Sequence, residues 1–370
     1  MLADFYSWFR PVLFQFDAEE AHHWTLSALR WAEKCGAARL LAPRVTAPSV
    51  GAMGLEFPNV VGMAAGLDKG GVCIDGFGAL GFGHIEVGTI TPRPQSGNSK
   101  PRVFRLVEHE AILNRLGFNN PGLDQALRNI QGRKWRGVLG FNIGKNFDTP
   151  NERAAEDYLT CLRGAYAHVD YITVNISSPN TIGLRDLQEE DAVRRLLRAL
   201  KSEQDRLSQH YRKYTPLAIK IAPDLDAEQV KALSAIFLRE KIDGVVATNT
   251  TIARSGVANH RWVSEVGGLS GAPLREMANT AIRTLRGEIG TQIPIIGVGG
   301  IMNGGDAQEK LAAGATLVQV YTGLIYRGPA LVAEILRGGT GCPQASPCNE
   351  AFSVLFNESD RPISSRRSHS

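Results

Sequence analysis

From Asn59 onward the chain repeats one rhythm: a short apolar run, a loop rich in glycine or asparagine, then a segment with apolar residues at helical spacing. The runs fall at Val60–Ala64, Phe82–Val87, Val138–Asn142, Tyr171–Asn175, Leu217–Ile221, Gly244–Thr248, Ile293–Gly297 and Thr316–Val320, which makes eight candidate strands. Between them, Val193, Leu196, Leu197 and Leu200 share one helix face, and Val230, Leu233 and Phe237 share another behind an Asp226 cap with Gln229 three residues on. Parallel strands need such crossovers. Eight strand–helix units predict an α/β fold, a (β/α)8 TIM barrel, which uses about 250 residues as one domain. Arg102–Leu106 and Ala111–Leu113 predict a small hairpin inserted on the top face between the second and third strands.

The ends of the chain break the rhythm. Phe5, Trp8, Phe9, Val12, Leu13 and Phe16, then Ala21, Trp24, Leu26, Ala28, Leu29 and Trp31, predict two amphipathic helices with aromatic faces, with Asp17 as the cap between them. On pattern alone this two-helix extension over residues 1–40 either closes the bottom of the barrel or docks on an interface. The barrel is expected over residues 41–338, and the Ser-, Pro- and Arg-containing stretch 339–370 as a flexible tail.

Composition narrows the function. A formal charge of +4 spread over 370 residues, apart from Arg361, Arg366 and Arg367, argues against nucleic acid as a partner. Five scattered cysteines (Cys35, Cys73, Cys161, Cys342 and Cys348) without CxxC spacing fit reduced thiols, and no zinc ligand set is present. The amino terminus does not resemble a secretory signal, and no apolar run approaches the roughly 18 residues of a membrane span.

In a barrel the chemistry sits on the loops after the strands. The first strand ends in Ala65-Gly66-Leu67-Asp68-Lys69, the second in Glu86-Val87-Gly88-Thr89, the third in Asn142-Ile143-Gly144, the fourth in Asn175-Ile176-Ser177-Ser178-Pro179-Asn180-Thr181, and the sixth in Thr248-Asn249-Thr250-Thr251. Amide and hydroxyl groups at these places predict a pocket for a small polar ring, because each would be costly to bury unpaired. Lys220, in the apolar fifth strand, needs an anionic partner. Gly297-Val298-Gly299-Gly300-Ile301 after the seventh strand and Tyr321-Thr322-Gly323 after the eighth predict a phosphate site made of backbone amides. No histidine stands in a triad or metal spacing. The pattern therefore points to a bound cofactor that performs the difficult chemistry.

Ala65 to Lys69, Glu86 to Thr89, Asn114 to Phe118, Asn175 to Thr181, Thr248 to Thr251 and Gly297 to Gly300 resemble, in order and spacing, the dihydroorotate dehydrogenase family. The resemblance runs from the first helix to about Arg337 and implies FMN across the barrel mouth. Its phosphate would lie at Gly271, Gly300, Tyr321 and Thr322, with Ala65, Gly66, Leu67, Asp68, Lys69, Thr89, Asn142, Asn175, Lys220 and Thr248 around the rest. Dihydroorotate would be held by Lys69, Asn114, Arg115, Leu116, Gly117, Phe118, Asn175, Asn180, Asn249 and Thr250. Ser178 matches the base, with help expected from Thr181, Phe118 and water.

A serine base marks members that reduce quinone, where soluble-oxidant members use cysteine. The aromatic helices agree, since the quinone class resembles proteins with an added helical hairpin that docks on membrane lipid and leads quinone to the flavin. His22, Arg105 and Tyr321 match the inner end of that path. The resemblance implies a bacterial, peripheral and monomeric protein on the cytoplasmic face of the inner membrane. Ile182 and Ser99 replace prolines usual in the family and predict looser loops. A dihydrouridine synthase acting on RNA would need an RNA-binding extension, and a catalytically silent barrel would not need Ser178 and Lys220.

Overall fold

The structure, a computed structural model, describes residues 2–38, 45 and 47–338. The tail expected over 339–370, with Cys342 and Cys348, and the boundary expected at residue 40 lie outside the described residues. The chain begins with helices α1 (Leu2–Leu13) and α2 (Ala18–Lys34), followed by a hairpin of β1 (Val50–Ala52) and β2 (Leu55–Phe57). The barrel strands are β3 (Val61–Met63), β4 (His84–Ile90), β7 (Val138–Ile143), β8 (Tyr171–Asn175), β9 (Leu217–Ile221), β10 (Gly244–Ala247), β12 (Ile295–Val298) and β13 (Leu317–Val320). They pair in parallel in that order and close when β13 meets β3. All eight predicted strands are present, each within two residues or so of its expected ends apart from β4, which runs three residues further.

Every barrel-strand residue is buried, because helices cover the outer face and side chains fill the inside. The covering helices are α3 (Ile74–Gly78), α4 (Leu123–Gln131), α5 (Ala154–Ala165), α6 (Glu190–Tyr211), α7 (Ala227–Arg239), α8 (Arg275–Ile289) and α9 (Gly304–Ala312), with α10 (Thr322–Arg327) and α11 (Ala330–Gly338) after the last strand. The predicted apolar faces of α6 and α7 are buried, and Asp226 and Gln229 form a reciprocal cap.

The bottom of the barrel is plugged by the β1–β2 hairpin, which puts Phe57 edge-on against His84 at 5.2 Å between ring centres. Of the two alternatives for the amino-terminal helices, closing the bottom is therefore not the one adopted: α2 packs on α3 and the upper hairpin, and α1 on α10. That upper hairpin, β5 (Val103–Leu106) and β6 (Ala111–Asn114), gains a third antiparallel strand, β11 (Gly268–Gly271), which was not foreseen. Arg105 donates to the carbonyls of Leu13 and Phe16 at the end of α1 and lies 4.7 Å from the Phe14 ring centre. Glu19 of α2 makes a two-pronged ion pair with Arg102, at 2.6 and 3.0 Å, with both side chains less than a tenth exposed.

Candidate active site

At the carboxyl ends of the strands a cavity is lined by Ala65, Gly66, Lys69, Thr89, Asn114, Leu116, Gly117, Phe118, Asn175, Ser178, Asn180, Thr248, Asn249, Thr250, Gly271, Gly300, Tyr321 and Thr322. These eighteen of the residues singled out in the sequence come from six of the eight strand ends and from the upper sheet. Leu67, Asp68, Arg115, Asn142 and Lys220 do not line it. Asp68 is turned inward, accepting from the amides of Val72 and Cys73 as a turn cap, and burial raises its carboxyl above the usual range. Arg115 pairs with Glu265 and lies over Phe104, so its guanidinium braces the upper sheet from outside.

Asn142 and Lys220 form the layer below, around a carboxylate that the sequence reading left without a role. Glu86 is fully buried inside the barrel and accepts from Asn142 Nδ2 (2.8 Å), Tyr171 Oη (3.0 Å), Thr173 Oγ1 (3.0 Å) and Gln319 Nε2 (3.1 Å). Four donors satisfy a charge that would otherwise be very costly to bury. Burial lowers the Lys220 ammonium below its usual range, and the Glu86 carboxylate opposes that shift. Glu86 is the buried negative charge that Lys220 feels within the protein.

From Glu86 the polarity of the pocket runs upward in a fixed sense. Asn142 gives its NH2 to Glu86, so its Oδ1 faces up and accepts from Thr89 Oγ1 (2.5 Å) and Asn175 Nδ2 (3.3 Å). Asn175 Oδ1 in turn accepts from Asn249 Nδ2 at 3.2 Å. Gln319, which also lines the cavity, spends its amide on Glu86 and Tyr171, leaving its buried Oε1 unpaired. The opposite amide orientation would set its oxygen against the carboxylate, so the acceptor is the free end.

Ser178 is 5% exposed, and its Oγ accepts from the Asn180 amide at 3.3 Å. A donor on that oxygen favours its deprotonated form. Thr181 Oγ1 nearby in the same loop is buried and unpaired. Lys69 donates to Asn119 and is half-buried between the cavities; burial, then the neighbouring Arg102 charge, lower its ammonium to about 7, against the pull of Glu19.

A second, larger cavity of about 1100 Å³ opens between α1, α2 and the barrel, lined by apolar residues such as Leu13, Phe14, Leu26 and Leu29 and by His22 and Arg105. Gly66, Lys69, Asn114, Leu116 and Tyr321 line both cavities and form the wall between them. His22 sits half-buried in this wall's far side, where burial and then Lys69 lower its imidazole to about 4. Among the described residues, no helix is long and apolar enough to cross a membrane, and no acidic, cysteine or histidine cluster could hold a metal ion.

Comparison with known proteins agrees with this geometry. The sequence profile described as "Dihydroorotate dehydrogenase" matches residues 49–339. A "Dihydroorotate dehydrogenase (quinone)" of Paraburkholderia xenovorans is 56% identical over 91% of this chain and 99% of its own length. One of Thiobacillus denitrificans is 57% identical over 89% of this chain and 97% of its own. The solved structure of DHODH from Eimeria tenella in complex with ferulenol superposes with a TM-score of 0.79 at 39% identity, covering 87% of this chain and 90% of that one. The chain belongs to the dihydroorotate dehydrogenase family, within its quinone-dependent branch.

Proposed function

We propose that the chain oxidises (S)-dihydroorotate to orotate, with FMN as the hydride acceptor and a membrane quinone as the final oxidant, in de novo pyrimidine (UMP) biosynthesis. The observation that carries this reading is the convergence on one cavity of Ser178, Lys69, four asparagine amides and Thr250. Lys69 takes the substrate carboxylate, and Asn114, Asn175, Asn180, Asn249 and Thr250 take the polar edges of the ring. Leu116, Gly117 and Phe118 close over it, with Arg115 supporting them from behind.

The residues present fit a phosphorylated flavin. At Gly300 and Gly271 a side-chain carbon would lie 2.3 Å from Arg275 Cα and 2.2 Å from the Glu110 carbonyl, so only backbone can occupy these turns, next to Thr322. Gln319 Oε1 is an orphaned buried acceptor on the cavity wall. FMN, when bound, supplies the acceptor for a hydride from one substrate ring carbon. Ser178 Oγ takes the proton from the adjacent carbon, Lys220 offers a cation beside the developing charge, and Thr181 Oγ1 is the next oxygen to relay the proton. Ala65, Gly66, Thr89, Asn175 and Thr248 would line the flavin, with Leu67, Asp68 and Asn142 holding that wall from behind.

The second cavity is the quinone path, with His22, Arg105 and Tyr321 at its inner end. We assign residues 1–40 to membrane and quinone access, 41–338 to the FMN-binding barrel and 339–370 to a tail. The exposed rings of Trp8, Phe9, Phe16, Trp24 and Trp31 rest on lipid, on the cytoplasmic face of the bacterial inner membrane, and the protein works as a peripheral monomer. The deciding assay follows orotate formation from dihydroorotate with a soluble ubiquinone analogue, fumarate or NAD as the only oxidant. Activity with quinone alone is expected; activity with fumarate or NAD would overturn the assignment of the hairpin. Ser178→Ala is expected to slow flavin reduction by dihydroorotate about 100-fold or more with flavin still bound, and a wild-type rate would remove Ser178 from its role.

A further inference from the structure

The loop that carries Ser178 is anchored unevenly. Its tip is open, with Ile182 97% exposed, while Leu184 and Leu187 beyond it are buried. Apolar packing thus holds the loop at its two ends, at Ile176 and at Leu184 and Leu187, but not across the polar stretch between them. There the Arg185 guanidinium takes over. Its Nε donates to the Ser177 carbonyl at 3.1 Å, Nη2 donates to the Thr250 carbonyl at 2.9 Å, and Nη1 lies 2.9 Å from the Asp224 carboxylate. Asp224 also accepts from the Thr251 hydroxyl and from the Ile252 amide at 3.1 Å.

We propose that Arg185 is a positioning residue that clasps the Ser178 loop to the Asn249–Thr250 loop, with Asp224 as the fixed post. The inference rests on the reading of Ser178 as the base. One planar fork ties together the loops after β8, β9 and β10, so the base hydroxyl and the groups that hold the substrate ring keep a common frame. Arg185 does not line the cavity and touches no substrate. Its effect is carried by the carbonyls of Ser177 and Thr250, neighbours of Ser178 and Asn249. A lysine could not substitute, since a single ammonium cannot reach three acceptors in divergent fixed directions.

The test is anaerobic reduction of the bound flavin by saturating dihydroorotate in the holoenzyme, comparing wild type, Arg185→Ala, Arg185→Lys, Asp224→Asn and Ser178→Ala. Arg185→Ala and Arg185→Lys are expected to lower the limiting rate about 10- to 100-fold while flavin content holds and orotate affinity changes less than the rate. Millimolar guanidinium is expected to restore part of the rate in Arg185→Ala and none in Ser178→Ala. Asp224→Asn keeps an acceptor for Thr251 and Ile252 but loses the charge that holds Arg185, and is expected to fall in the same direction. A wild-type rate in Arg185→Ala overturns the clasp. So does a fall that guanidinium does not reverse when Asp224→Asn remains at the wild-type rate. A wild-type rate in Ser178→Ala would instead remove the base reading on which the clasp depends.

Discussion

Lys69 gives the site a pH dependence whose sign can be worked out. With its ammonium lowered to about 7 in the free protein, it is charged below that pH and neutral above it. A bound carboxylate favours the charged form, so binding above pH 7 must draw in a proton. Dihydroorotate affinity is therefore expected to fall by up to about tenfold per pH unit above 7, with proton uptake visible when calorimetry is run in buffers of different ionisation enthalpy. Lys69→Gln should flatten that profile. Lys69 was legible in the sequence because it follows a strand, where barrel chemistry gathers. Glu86 was written in the same string of residues yet lacked a visible role, since nothing local shows that Tyr171, Thr173 and Gln319 meet it across the barrel. Its one signal was a lone acidic residue in the middle of a buried parallel strand. Glu86→Leu should strand four donors and cost several kcal/mol, at about 1–3 kcal/mol for each buried group left unpaired, read by chemical unfolding. Glu86→Gln should cost less, because only one of its two positions then faces a donor with a donor.

At the scale of elements, the amphipathic helices and the eight strands could be read because their periodicity is local. Strands β1, β2 and β11 could not: they have three, three and four residues, and β11 exists because Gly268 meets Asn114 far along the chain. The Asp17 cap was legible and accepts from the amides of Glu19 and Glu20. That Glu19 would then leave the helix surface to pair with Arg102 was not, since a charge next to a cap usually serves the helix end. Glu19→Gln leaves Arg102 buried without its counter-charge and is expected to destabilise the protein by about 3–5 kcal/mol in urea unfolding, more than Glu20→Gln. Trp8 and Trp31 are 80% and 70% exposed on the hairpin. The double change Trp8→Ser, Trp31→Ser should weaken sedimentation with anionic lipid vesicles about tenfold or more, while flavin reduction by dihydroorotate stays at the wild-type rate. Equal loss of both would make the rings structural.

For the molecule as a whole, the barrel bottom contributes to the acid limit. His84 is fully buried against Phe57, with neither ring nitrogen bonded, and burial lowers its imidazole to about 3. In the unfolded chain it titrates near its ordinary value of 6.5. Between these values the unfolded chain binds a proton that the fold refuses, so stability is full above about 6.5 and falls by about 1.4 kcal/mol per pH unit on acidification toward 3. His84→Leu should flatten this limb of a stability–pH curve; an unchanged slope would place the acid sensitivity elsewhere. The wall of Gly66, Lys69, Asn114, Leu116 and Tyr321 between the two cavities has a kinetic consequence. On the proposed assignment of the two cavities, the reductant and the oxidant would use separate doorways, so neither would wait for the other's product to clear, and a compound lodged under α1 and α2 is expected to compete with quinone without direct rivalry with dihydroorotate.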